Sequence, residues 1–213
     1  MWNDLALPWK ICLEESWAAY CSGTIPIGAV ILDAEGNPLA RGRNQIIYNG
    51  TGTGPVRNHE LAHAELNALL QCDLTGPRRT YALYTLIEPC PLCMGAFYMS
   101  GIRQLHYAAP DPYAGSVNLL NTTPYLSRKP ILVFPPQNED LQTLAAALHT
   151  EHMLSRSFTV QDFFESWREV LPAGVALGES LARSGQLRAL RDRRASAMEM
   201  VEELSVMIIN ITR

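Results

Sequence analysis

Charge is scarce in this chain, and no long apolar run is present. Asp, Glu, Lys and Arg make up 18% of its 213 residues against 47% hydrophobic, a balance that excludes a disordered or low-complexity chain and supplies enough apolar side chains for a core. No stretch approaches the roughly 18 apolar residues of a membrane span. Met1-Trp2-Asn3-Asp4 lacks the cationic start and apolar run of an export signal, so a cytoplasmic protein without membrane contact is expected. Excess basic charge is also missing. Seventeen Lys and Arg face 21 Asp and Glu, a net charge of −4, the wrong sign for a protein whose whole surface grips phosphate backbones. RNA contact would need a local patch and is disfavoured. The five cysteines, Cys12, Cys21, Cys72, Cys90 and Cys93, are too few and odd in number for a disulfide scaffold, which points to metal or redox use of some of them. The sequons at Asn49, Asn121 and Asn210 would matter only in a secreted protein and are read as chance.

Proline vanishes late in the chain: thirteen of the fourteen precede residue 155, and only Pro172 follows. We therefore expect a domain over 1–154 and a helical extension over 155–213, with the boundary near Leu154 to Ser157. Inside the first part, Trp9 to Tyr20 predicts a helix, and Pro26 to Leu32 and Pro38 to Ile47 predict a strand pair around the turn Asp33 to Asn37. A Gly/Thr/Pro-rich loop, Asn49 to Val56, leads to a helix over Asn58 to Cys72 with Asn58 as N-cap. Thr80 to Ile87, Pro91 to Ser100 and Gly101 to Ala108 predict a βαβ unit, whose strand carboxyl ends are where a ligand would sit. The long connection Ala109 to Lys129 is read as a lid over that place. A strand at Ile131 to Phe134 and a helix over Glu139 to Met153 complete the expected fold class: α/β, a three-layer α/β/α sandwich on a five-stranded mixed sheet, with two or three helices after Thr159.

Two short segments carry chemistry. His63-Ala64-Glu65 precedes Pro89-Cys90-Pro91-Leu92-Cys93. Two cysteines three apart at a helix start can both reach one ion as thiolates, and one imidazole completes a three-ligand set. Three protein ligands leave a fourth tetrahedral position for water, as in a catalytic zinc site. Glu65 need not ligate and is placed to move protons. Taken singly, a C-x-x-C is a chance or redox pair and a lone His is structural. Together they form the H-x-E … P-C-x-x-C signature of zinc nucleobase deaminases. An overlapping motif, His59-Glu60-Leu61-Ala62-His63, fits the H-E-x-x-H of zinc proteases, with Glu88 as a distant third ligand. That reading finds Leu66 and Leu69 where the extended motif needs Gly and His, and it leaves Cys90 and Cys93 unexplained.

From Trp9 to Met153 the chain resembles the cytidine deaminase-like superfamily, in its branch of tRNA adenosine, guanine and cytosine deaminases. The resemblance rests on Ile25 to Val30, Gly42-Arg43-Asn44, His63-Ala64-Glu65, Thr85 to Ala96, and Asp111 through Ser116. It implies one Zn²⁺ per subunit on His63, Cys90 and Cys93, with Glu65 as the catalytic proton shuttle. It further implies substrate contacts from Asn44, from the backbone N–H of Ala64, from Ile27 as pocket wall and from Asp111, in a homodimer. His63 stands where pyrimidine nucleoside deaminases carry Cys, which disfavours cytidine itself. The implied reaction is hydrolytic deamination of a purine-type nucleobase or nucleoside, zinc hydroxide attacking the amino-bearing carbon and ammonia leaving.

Three other readings remain open: a tRNA adenosine deaminase, a zinc-binding scaffold without catalysis, and the protease. The short loop Ala109 to Ser116 and the acidic start of the helix at Glu139 weigh against tRNA. Asp111 and Tyr113 either meet the base or make an ordinary turn. Arg183, Arg188, Arg191, Arg193 and Arg194 form either an RNA contact or a solvated face paired with acids. The stripe Met198, Val201, Leu204, Met207, Ile208 and Ile211 packs on the core or on a partner. His59 is assigned to a pocket rim, and Cys12, Cys21 and Cys72 are expected to be buried.

Overall fold

The computed structural model describes residues 1–47, 54–156 and 161–212. Most of the loop expected over 49–56, the sequon at Asn49, and residues 157 and 159 at the expected boundary and tail start lie outside them. Among the described residues the chain forms α1 (Leu7–Cys21), β1 (Gly28–Leu32), β2 (Pro38–Arg43), α2 (Ala64–Gln71), β3 (Ala82–Ile87), α3 (Pro91–Ser100), β4 (Gln104–Ala109) and β5 (Leu132–Phe134). Then follow α4 (Glu139–Ser155), α5 (Gln161–Val170), α6 (Pro172–Ser184), α7 (Gln186–Asp192) and α8 (Ala197–Thr212).

The five strands make one mixed sheet in the order β2-β1-β3-β4-β5. β1 runs antiparallel to β2 and β3, whereas β3, β4 and β5 are parallel. One face packs on α2 and α3 through Leu83, Leu105, Phe97 and Ala68, the other on α1 and α4 through Leu86, Val30, Leu13 and Leu144. This is the expected three-layer sandwich. β1 is buried at all five positions because both of its faces are covered. On the α1 and α4 side, Tyr84, His106 and Phe134 from three neighbouring strands stack ring on ring, with centroids 4.1 Å apart at each step.

Several expectations need correction. The helix expected from Asn58 begins at Ala64, with His63 as its N-cap. Asn58 has φ of 51°, in the left-handed region outside the extended conformation usual for a side-chain N-cap, and 58–61 form bends and a turn instead. Among its described residues the last segment holds four helices, against the two or three expected. Leu171-Pro172 separates α5 from α6, Gly185 at φ 72° ends α6, and Arg194 at φ 59° ends the turn after α7. Cys12 and Cys72 are buried as expected, but Cys21, in the last turn of α1, is exposed.

These helices share one apolar cluster with α1 and α4: Trp167, Leu177, Leu181, Val201 and Leu204 pack with Leu144, Leu148 and Trp17. The Trp17 indole N–H donates to the Ala195 carbonyl at 2.6 Å. α6 lies close against α4, and a Cβ on Gly178 would strike Thr150 and the Ala147 carbonyl, so only glycine permits this approach. α4 is buried without interruption from Thr143 to His152. No helix among the described residues is long and apolar enough to cross a membrane.

Candidate active site

Parallel pairing aligns the carboxyl ends of β3 and β4, with Ile87 opposite Ala109. Immediately beyond β3, Cys90 is the N-cap of α3, and Pro91 supplies the preset φ of its first turn. Across the site His63 is the N-cap of α2. Neither side chain makes the capping bond usual at that position, which leaves both for other work. The approach of β2 to α2 sets this pair in place. A Cβ on Gly42 would collide with the Ala64 carbonyl, so Gly42 lets the start of α2 lie against the sheet.

His63, Cys90 and Cys93 bring one donor atom each within 4.8 Å of one another. His63 Nδ1 lies 3.5 Å from both Cys90 Sγ and Cys93 Sγ. Tetrahedral Zn²⁺, with Zn–S of about 2.3 Å and Zn–N of about 2.0 Å, has N···S edges of roughly 3.5 Å, which both His63–cysteine distances match. The hydrogen bond from the Cys93 thiol, ahead of that from His63, draws Cys90 down to about 4. Cys93 is held well up by that same bond and by burial, and the Cys90 sulfur raises the His63 imidazole. One thiolate is thus already present, and a dication would claim both.

Glu65 lies in the first turn of α2 and is 4% exposed. Its Oε1 accepts from the Thr85 hydroxyl at 3.1 Å, and its Oε2 lies 3.3 Å from Cys93 Sγ. Burial pushes its carboxyl up, the setting of a proton carrier. In front of it is a cavity of ≈ 140 Å³ bordered by Ile27, Asn44, His63, Ala64, Glu65, Cys90, Asp111 and, from α4, His149. The expected metal ligands, proton carrier and substrate contacts all border this cavity except Cys93, which is buried against Glu65, whereas Tyr113 and His59, expected at the base and at the rim, do not.

Asn44 Oδ1 is taken up by the Thr24 hydroxyl at 2.6 Å and the Ile46 N–H at 3.1 Å, so among the described residues Nδ2 is the end left to donate. Ala64 is the first residue of α2, and its N–H has no acceptor within the helix. Asp111 Oδ1 caps a turn, accepting from Tyr113 and Ala114 N–H at 3.0 Å each, while its carboxyl is raised by burial. Tyr113 is exposed and packs edge-on against Phe163.

His59 stands apart from the donor set. It is exposed, in a turn, and its Nδ1 accepts from Leu61 N–H at 3.1 Å. The protease motif needs both histidines on one helical face, and no helix spans 59–63, which removes that reading. Glu88 is likewise no ligand. It receives the Val117 N–H at 3.1 Å and the Asp111 N–H at 3.4 Å, tying the 109–120 connection to the cysteine loop. Three contributors escaped sequence reasoning. Thr85 left a faint trace, a polar residue inside an apolar strand, whereas Glu88 as loop anchor and His149 in the cavity wall depend on distant pairing.

The family profile for the cytidine and deoxycytidylate deaminase zinc-binding region matches residues 5–109. A tRNA-specific adenosine deaminase of Rickettsia felis is 31% identical over 108 residues, covering 49% of this chain and 70% of that protein. A tRNA(Ile)-lysidine synthase of Deinococcus radiodurans is 36% identical over 97 residues, 44% of this chain, and the chain spans only 15% of that protein. The structure of a guanine deaminase from Nitrosomonas europaea superposes with a TM-score of 0.51 at 25% identity, covering 70% of this chain and 85% of that one. With the site geometry these matches place the chain in the cytidine and deoxycytidylate deaminase zinc-binding family. It is a zinc-dependent nucleobase or nucleoside deaminase, and its His-Cys-Cys cluster is positioned to hold the metal ion.

Proposed function

We propose that the protein hydrolyses the exocyclic amino group of a purine-type nucleobase or nucleoside, water and the amino-heterocycle giving the oxo-heterocycle and ammonia. The observation that carries the reading is Glu65, a buried carboxyl set between the His63, Cys90 and Cys93 cluster and the cavity. Zn²⁺ held by those three residues supplies the Lewis acidity that makes water nucleophilic near neutral pH. Glu65 takes a proton from the attacking water and passes it to the ring nitrogen, then takes the proton of the added hydroxyl and passes it to the departing amine. Thr85 pins Oε1 and leaves Oε2, on the side of the cluster, to carry that proton. Asn44 Nδ2 and the Ala64 N–H donate to the bound ring, Ile27 forms its apolar wall, and Asp111 accepts from a ring or amino N–H. Residues 1–154 carry this chemistry, with 155–213 as a helical extension, in a cytoplasmic homodimer.

Relatives named for tRNA adenosine and for guanine deamination both act on purine rings, which supports the substrate class. Deamination of tRNA is the second reading, favoured by the Rickettsia relative. Against it, the basic stretch is engaged internally: Arg188 with Glu151, Arg191 with Asp192, Arg193 with Glu203. The test is ammonia release by zinc-loaded protein from guanine, adenine, cytosine, their nucleosides and a tRNA anticodon hairpin, with Glu65→Ala as control. Glu65-dependent release from a small purine supports the reading. Release from the hairpin alone moves it to tRNA, and silence on every purine overturns it.

A further inference from the structure

α4 contributes one polar side chain, His149, to the wall of the cavity that the metal cluster also borders. His149 is 7% exposed, borders the cavity, and has an Nδ1 that is buried with no hydrogen-bond partner among the described residues. Leaving a buried polar atom unpaired is costly. A leucine would fill such a place without that cost.

The ring is also held rigidly. Phe163 and Trp167 of α5 meet it edge-on, at 5.5 Å and 77° and at 4.9 Å and 89°. Burial holds the imidazole neutral, down to about 4, so near neutral pH it offers one N–H donor and one bare nitrogen acceptor. The Trp167 indole N–H behind it lacks a hydrogen bond of ordinary geometry and lies toward the Asp111 carboxyl.

Building on the purine reading, we infer that His149 is a specificity-determining residue that hydrogen-bonds a nitrogen of the substrate's five-membered ring, the edge remote from the carbon that loses its amino group. Glu65 and the metal cluster fix the reacting edge on one side of a small cavity, and His149 stands in the α4 wall. A one-ring substrate leaves the imidazole unpaired, whereas a two-ring substrate satisfies it. Selection follows, because a site with a buried polar group rejects a ligand that cannot pair with it more strongly than an apolar pocket does. The extension takes part, since Phe163 and Trp167 set the plane of the ring.

The experiment compares His149→Phe with wild type on guanine or adenine, whichever the wild type prefers, and on the 7-deaza and 9-deaza analogues of that base. Zinc content and circular dichroism are checked on each protein. The expected result is a loss of at least tenfold in kcat/KM on the parent base, carried mainly by KM, with one deaza analogue equally good for both proteins. His149→Asn, whose amide overlies Nδ1, or His149→Gln, whose amide reaches toward Nε2, recovers part of the loss. If His149→Phe does not fold, the Asn and Gln variants are compared on the same three substrates by the same ratios. Parent-base turnover within twofold of wild type, or an equal loss on all three compounds, overturns the inference and leaves the purine reading intact. Wild type that releases ammonia from no purine overturns both.

Discussion

At Glu65 two requirements meet. The carboxyl must be buried enough to prefer a proton and yet be held in one orientation, and Thr85 supplies the second condition from the neighbouring strand. Glu65→Ala is expected to keep stoichiometric zinc, measured by atomic absorption, while ammonia release falls by roughly 10²–10⁴. Thr85→Val, similar in volume, removes one hydrogen bond of about 1 kcal/mol, and kcat is expected to drop about fivefold with zinc retained. His152 makes a different statement. Burial, with His149 and Arg156 nearby, lowers it from 6.5 to about 3. Its folded value lies below its unfolded one, so the unfolded chain takes the proton first. Stability is therefore complete above about pH 6.5 and declines as pH falls toward 3, by up to about 1.4 kcal/mol per pH unit. Urea midpoints between pH 7 and 4 are expected to fall, and His152→Gln is expected to flatten that slope.

Among the elements, those built from local pattern were legible. The apolar run before Cys90, the proline after it and the strand beyond predicted β3, α3 and β4 and placed the cysteines at a helix start. His63 and Glu65 were legible as chemistry, although the helix that they open was read to begin six residues too early. Asn58 gave no warning, because the same residue type serves as N-cap and as left-handed turn residue. His149 was invisible for another reason. A histidine among alanines and leucines on a helix is the same in sequence whether it faces a cavity or the core, and only the packing of α4 against both sheet and α6 decides. That packing depends on Gly178. Gly178→Val is expected to destabilise the protein by about 1–3 kcal/mol or more through overpacking, seen as a lower urea midpoint with an unchanged slope.

Over the whole molecule the metal cluster borders the cavity directly, while α5 backs its wall through Phe163 and Trp167 against His149. Withdrawing zinc with a chelator is expected to lower Tm as well as activity, since an ion present at a hundred times its Kd stabilises the folded state by about 2.7 kcal/mol. Restoring zinc should restore both, and an unchanged Tm would mean that the ion holds no structure. On the far side α8 is anchored through Trp17, whose replacement by Ala removes a buried ring and its bond to Ala195, with an expected cost of about 3–5 kcal/mol. The apolar stripe on α8 is only partly used inside the chain: Val201, Leu204 and Ile208 are fully buried, while Met198 and Ile211 stay 48% and 40% exposed.

The uninterrupted burial of α4 from Thr143 to His152 has a consequence for traffic through the site. A helix with no water on any side is a wall without a hinge, because tilting it opens voids against both the sheet and α6. Heterocycle and product are then left the other flank, where Glu88 holds the stretch from Asp111 to Val117 through two backbone bonds, beside the Ser116 N–H to the Pro89 carbonyl at 3.0 Å. The enzyme would then work as a chamber with one door, latched onto the same loop that carries Cys90.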